Sequence, residues 1–292
     1  MRSRVRLAHG AHTCAILRRN LLTHDRLESH TLMPAIPDAP LLEAIFEMRW
    51  GQQNQNTFEY SSDEHSLFPG KLSAFASEIG FGHVERLNDH RPPQAAVPPQ
   101  QVSHRFRKGP AQWPCFQLGL GVFTVNQNND GYSWVGLKSA IADGISIFNK
   151  AKSKDFTRLP ESLKFILRYQ DVFYPADEGL TDNQFIEEHF KLDLALPEDF
   201  LDQKYLETSK HDIKLNFSLG APSVDGKVTI FVASVAINGK PALLMETLVE
   251  GREKSCTVDT LNETGVIAWC ERAHDIQKHA FRTLIVPSAY RK

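Results

Sequence analysis

Glu271 and His274 stand three residues apart, with Asp275 and His279 close behind, so four side chains able to carry protons or hold a metal share one short stretch. On a helix, the Glu-x-x-His spacing puts carboxylate and imidazole on one face, which is how half of a di-iron carboxylate site is built. The other half needs a second such spacing and two further glutamates. Glu187, Glu188 and His189 do not supply them, so no metal is assigned. An acid–base reading competes, since a carboxylate can orient a histidine that titrates near neutrality. Glu271, His274 and Asp275 are therefore the catalytic candidates. Neither a serine elbow nor an activated cysteine accompanies them, and structural or interface histidines are the opposing reading.

A second set of residues stands out by context. Arg49, Arg168 and Asp171 lie in or beside otherwise apolar strand patterns. An unpaired buried charge costs several kcal/mol, so each must reach water or pair internally. Glu43, Glu47, Arg49 and Arg168 are read as a cross-strand polar face available for recognition, against the alternative of a solvated sheet face with routine ion pairs. His104, Arg105, Arg107 and Lys108 surround Phe106, a mixture of the kind RNA-binding sheets use. The paired aromatics such sheets carry on adjacent central strands are missing. Gly119 and Gly121 make a GxG, but the third glycine and the strand-to-helix setting of a dinucleotide site are absent. No cofactor is assigned.

The elements that must hold these residues follow from periodicity. Leu41 to Trp50, between Pro40 and Gly51, alternates as a strand, with Leu42, Ala44, Phe46 and Met48 on one face and Glu43, Ile45, Glu47 and Arg49 on the other. Leu67 to Gly80 places Leu72, Phe75, Ala76 and Ile79 at helical spacing and stops at glycine. The four prolines of Arg91 to Gln101 favour an extended crossing loop. Val102 to Lys108 and Cys115 to Gln127 form a hairpin about Gly109 and Pro110, the second strand carrying paired glycines that admit a bulge or another backbone at close range. Tyr132 to Lys150 is a helix, and Glu161 to Tyr174 contains the next strand. Strand, helix, strand, strand, helix, strand is the split βαβ, ferredoxin-like order.

Beyond Thr181 a short helix near Asn183 to Phe190 leads into three strands, Ile213 to Leu219, Lys227 to Ile237 and Ala242 to Glu250, with turns at Val224 to Gly226 and at Asn238 and Gly239. A long helix from Asn262 to Leu284 carries Val266, Trp269, Cys270, Ala273, Ile276, Ala280 and Leu284 along one stripe. The expected fold class is α+β: a ferredoxin-like βαββαβ half over residues 33–178, then an antiparallel meander packed on a long helix over 179–292. Both sheets could join into one.

Composition bounds the rest. The chain has 292 residues, 41% of them hydrophobic and 23% charged, with 18 Phe, which suits a soluble globular protein of one or two domains. Its apolar runs are too short to cross a bilayer. Cys14, Cys115, Cys256 and Cys270 show no paired spacing, which points to a reducing, cytoplasmic setting. Residues 1–32 hold six arginines and two acids; the remaining 27 basic and 33 acidic residues give the body a net charge of −6. That acidity opposes nucleic-acid binding. The leader is read as a disordered basic segment upstream of a natural start at Met33, with a targeting peptide or a nucleic-acid arm as alternatives.

With these blocks placed, the chain resembles a sporadically distributed, functionally uncharacterised prokaryotic family of about 250-residue proteins. APLLEAIFEMRW at Ala39 to Trp50, QLGLGVFTVN at Gln117 to Asn126, YSW at Tyr132 to Trp134, LRYQDVF at Leu167 to Phe173 and AHDIQKHAFRTLI at Ala273 to Ile285 carry the resemblance. It covers nearly the whole body from Met33. Gln170 stands where the family pattern has Asn, and LGLG where it more often has VGPG. The resemblance implies a setting in mobile defence or toxin–antitoxin loci, and it brings no catalytic residue with it. The expectation is a cytoplasmic protein-binding protein, acting as sensor, adaptor or neutralising member. An enzyme with a dispersed acid–base site near the last helix and a nucleic-acid module are the alternatives. The partner is expected to be another protein, without membrane attachment, and a homo-oligomer is compatible with this reading.

Overall fold

Alternation on a central strand organises the chain. In the computed structural model, which describes residues 40–54, 57–59, 67–87, 100–153, 156, 163–192, 212–252 and 255–290, β1 spans Leu41–Arg49. Ala44, Phe46 and Met48 are fully buried on one side of it, while Glu43, Ile45, Glu47 and Arg49 face the other. The basic leader and the proline-rich segment from Arg91 to Pro99 lie outside the described residues.

Eight further strands join β1 in one sheet. They are β4 (His83–Arg86), β5 (Val102–Arg107), β6 (Cys115–Gly119), β7 (Val122–Asn128), β8 (Lys164–Phe173), β9 (Lys214–Ala221), β10 (Gly226–Ile237) and β11 (Lys240–Gly251). Their order is β4-β5-β6-β7-β1-β8-β11-β10-β9, and every neighbouring pair is antiparallel. The two short strands β2 (Gln52–Asn54) and β3 (Thr57–Glu59) pair separately. The protein is thus α+β with a nine-stranded antiparallel sheet. Its two expected halves share that sheet, joined where β8 pairs with β11.

The ferredoxin-like order is not the one found. The segment expected as one strand from Cys115 to Gln127 is two, folded back at Gly121, whose φ of 74° suits glycine. Gly119 is constrained as well: a Cβ there would meet the Gln101 carbonyl oxygen at 1.9 Å. A short strand at His83–Arg86, too charged to register as an apolar pattern, adds the outermost member. Four strands, β4 to β7, therefore stand where the ferredoxin-like order has a hairpin of two.

Helices cover one face of this sheet. These are α1 (Phe68–Glu78), α2 (Trp134–Ala151) and α4 (Glu263–Leu284), while the shorter α3 (Asp182–His189) packs near the end of α4. Local chemistry sets their starts. Ser133 accepts the Gly136 N–H, Asn262 accepts the Gly265 N–H, and Thr181 with Gln184 forms a reciprocal capping box. Asn238 and Gly239, both at positive φ, make the tight turn from β10 to β11.

The core between helices and sheet is aromatic. Trp50 packs edge-on against Phe68, Phe148 and Phe156, and Trp269 against Phe165. Trp269 fits because position 251 has no side chain: a Cβ on Gly251 would lie 2.3 Å from the indole Nε1. The ring is fully buried and cannot yield. Gly251→Ala is therefore expected to cost about 1–3 kcal/mol, read as a lower midpoint in denaturant unfolding with an unchanged slope.

Candidate functional site

The face of the sheet opposite the helices carries a cleft of about 380 Å³. Its floor is the polar side of the central strands. Ile45, Glu47 and Arg49 come from β1, Val122, Thr124 and Asn126 from β7, Gln117 from β6 and Arg168 from β8; Gln100, Gln101 and Val102 form one wall. Register brings them together, since Glu47 lies opposite Thr124 on one side and Ile166 on the other, and Ile45 lies opposite Asn126 and Arg168.

A polar network runs through this floor. Arg49 Nε donates to Glu47 Oε1, and Arg49 Nη1 lies 3.5 Å from Gln100 Oε1. Arg168 Nη2 lies 3.6 Å from Glu47 Oε2, and its Nη1 donates to Glu246 Oε2 at 3.3 Å. Gln170 also donates to that oxygen, at 2.9 Å. Glu43 accepts from Asn126 Nδ2 at 2.7 Å, and Asn126 Oδ1 accepts from Thr124. Glu47, Gln117, Thr124 and Asn126 are each at most 7% exposed, so this face is polar without being wet throughout. Arg168 Nε is buried with no hydrogen-bond partner.

Glu43, Glu47, Arg49 and Arg168 thus lie on one face across two paired strands. Sequence reading missed Gln117, Thr124 and Asn126, although a signal was present: they alternate with Leu118, Phe123 and Val125 through two otherwise apolar strands. Val122, the first residue after the turn at Gly121, also lines the cleft.

The catalytic candidates on α4 are spent in other ways. Trp134, at the start of α2, stacks its indole on His274 with centroids 4.0 Å apart and donates Nε1–H to Glu271 at 3.0 Å. Lys138 binds the other Glu271 oxygen. Burial pushes the Glu271 carboxyl up, but the hydrogen bonds from Lys138 and Trp134 outweigh it and hold the group below its ordinary value. Asp275 points to solvent, its side chain 72% exposed beside Lys278. The triad is split between an inter-helix clamp and the surface. Among the described residues, no group of three or more His, Cys, Asp or Glu side chains is placed to hold a metal ion, and no helix is long and apolar enough to cross a membrane.

The basic cluster on β5 is also engaged. Arg105 pairs with Glu85 of β4 at 3.3 Å, and Arg107 lies 3.2 Å from the same carboxylate. Arg107 also lies over the Trp113 ring and donates to the Gln112 carbonyl, while Lys108 sits over Phe81. Phosphate contacts would have to displace these partners, and affinity for nucleic acid is built mainly from phosphate contacts.

On the helix side of β8 lies a third polar group. Tyr132 Oη and Tyr169 Oη are 2.8 Å apart, and Tyr169 Oη is 3.0 Å from His274 Nδ1. Two residues along β8, Asp171 is 4% exposed, and its Oδ2 has no hydrogen-bond partner. Burial pushes the Asp171 carboxyl from its ordinary 3.8 up to about 7. Burial likewise holds His274 down at about 4, with the Lys278 ammonium adding to the effect. Both groups are therefore held toward their neutral forms.

No protein-family model, no curated protein and no solved structure matches the chain.

The two buried groups on the helix side have opposite linkage. Folding binds a proton at Asp171 between about pH 4 and 7, so its contribution is fully present below pH 4 and lost as pH rises through 7. His274 stays neutral while an unfolded histidine charges, so its contribution is present above pH 6.5 and lost as pH falls through 4. Relative to the unsubstituted protein, Asp171→Asn should gain stability as pH rises from 4 to 7, by on the order of 3 kcal/mol. The deficit of His274→Gln should shrink by a similar amount as pH falls over that range. Denaturant midpoints across pH measure both, and differences that do not vary with pH would refute the assignment.

Proposed function

We propose that this chain is a protein-binding protein, a sensor, adaptor or neutralising component, that engages its partner through the cleft on the open face of the sheet. The observation that carries this reading is the cleft itself, which gathers two guanidinium groups and one carboxylate on an open polar floor, with the Arg49 and Arg168 side chains 34% and 22% exposed. Guanidinium groups take carboxylates through planar, paired hydrogen bonds. The ligand is accordingly a carboxylate-bearing segment of another protein. The cleft suits a few residues of such a segment.

The family resemblance of the Ala39 to Trp50, Gln117 to Asn126 and Leu167 to Phe173 blocks adds a setting, that of bacterial defence or toxin–antitoxin loci. All three blocks supply cleft residues: Glu47 and Arg49 come from the first, and Gln117, Val122, Thr124 and Asn126 from the second. Arg168 belongs to the third.

The experiment is affinity capture of the full chain from native lysate, with and without nuclease, followed by titration of the recovered protein. A stoichiometric partner that survives nuclease is expected. Arg168→Lys, which keeps the charge and removes the planar fork, should weaken binding about tenfold or more, and Arg49→Ala should weaken it less. Unchanged affinity in both variants, each folded by its thermal unfolding profile, would sink the cleft as the recognition site. Recovery of nucleic acid in place of protein would sink the function.

A further inference from the structure

The two edges of the nine-stranded sheet differ. β4 is four residues long and carries Glu85 and Arg86, the short charged kind of edge that resists pairing with another chain. β9 is eight residues long, Lys214 to Ala221, and Lys214 is its only charge. It contains no proline, and its ladder with β10 runs without a register shift. Phe217 is 39% and Leu219 60% exposed on it.

Ladder geometry shows which backbone groups remain available. Ser234 N–H donates to the Ile213 carbonyl, in a register that continues as Leu215↔Val232, Phe217↔Ile230 and Leu219↔Val228. Antiparallel ladders alternate hydrogen-bonded and non-hydrogen-bonded pairs, so the odd-numbered residues of β9 bond to β10. Lys214, Asn216, Ser218 and Gly220 turn their N–H and C=O groups to the outer edge, where the described residues include no further strand.

We propose that β9 pairs antiparallel with β9 of a second copy of this chain, about a two-fold axis at Phe217. In that register Lys214 lies opposite Gly220 and Asn216 opposite Ser218. These are the residues whose backbone groups point outward, and the match makes about eight main-chain hydrogen bonds. Phe217 faces its own counterpart in a non-hydrogen-bonded pair, where side chains come closest, and each Leu215 faces a Leu219. All six apolar side chains fall on one face, continuous with Ile230 and Val228 of β10. No charge opposes a like charge. The strand is complementary to itself, which is what an isologous interface requires, and the pairing covers the two most exposed apolar residues of the edge.

Sedimentation equilibrium of the full chain at micromolar concentration should find a dimer. Asn216→Pro removes an outward N–H and leaves the β10 ladder intact; Leu219→Lys puts a charge into the apolar row. Each should give a monomer with an unchanged thermal unfolding signal. The register is tested directly by oxidation. Phe217→Cys should form a disulfide-linked dimer absent from the unsubstituted protein, because Cα atoms of a non-hydrogen-bonded pair lie about 4.5 Å apart. Ser218→Cys should not, since its counterpart is displaced diagonally. A monomeric parent protein, a dimer that persists in both folded edge variants, or equal cross-linking at 217 and 218 would overturn the proposal.

Discussion

Glu47 is a carboxylate in the middle strand of a nine-stranded sheet, 6% exposed, and its pairing dictates much of the surrounding arrangement. A charge at that depth is tolerable only if cations meet it. One comes from the same strand, Arg49, two residues along and so on the same face; the other, Arg168, comes from β8. Arg168 then needs a further acid, which Glu246 on β11 supplies. The chain of charges crosses three adjacent strands and passes from the first half of the sequence to the second. It links the halves on the polar face where the aromatic core links them on the other.

Strand alternation made one side of this arrangement readable in advance. The two faces of β1, the apolar stripe of α4 and the turns at Asn238 and Gly239 are local patterns, and local patterns survive without knowledge of neighbours. Strand order does not work that way. Cys115 to Gln127 reads as one long strand because apolar residues run through the fold-back with only glycines to mark it. His83–Arg86 carries no apolar alternation strong enough to announce a strand; pairing with β5 creates it. The charged members of the cleft could be named because charge in an apolar run is conspicuous. Gln117, Thr124 and Asn126 are quieter, and their role depends on which strands lie side by side.

The two polar regions flanking β8 obey one electrostatic rule with different results. On the open face, water and opposite charges are at hand, and Glu47, Arg49, Arg168 and Glu246 sit in ion pairs. On the helix side, burial dominates, and the side chains there move toward neutrality: Asp171 up to about 7 and His274 down to about 4. Arg168 and Asp171 are three residues apart on the same strand, and the parity of their positions sends them to opposite sides of the sheet.

This division bears on what kind of function the chain can support. An acid–base site needs its titratable groups free to exchange protons with a substrate. Glu271 is held by Trp134 and Lys138, and His274 lies between Tyr169 and the Trp134 indole. Those contacts fasten α4 to α2 and β8, so freeing either group for chemistry would loosen the packing of the longest helix. The cleft carries no such conflict. Its charged groups already balance one another, and the Arg49 and Arg168 side chains stay partly exposed. A partner's acceptor could meet them there without dismantling a helix contact, so the proposed recognition asks less of this fold than chemistry on α4 would.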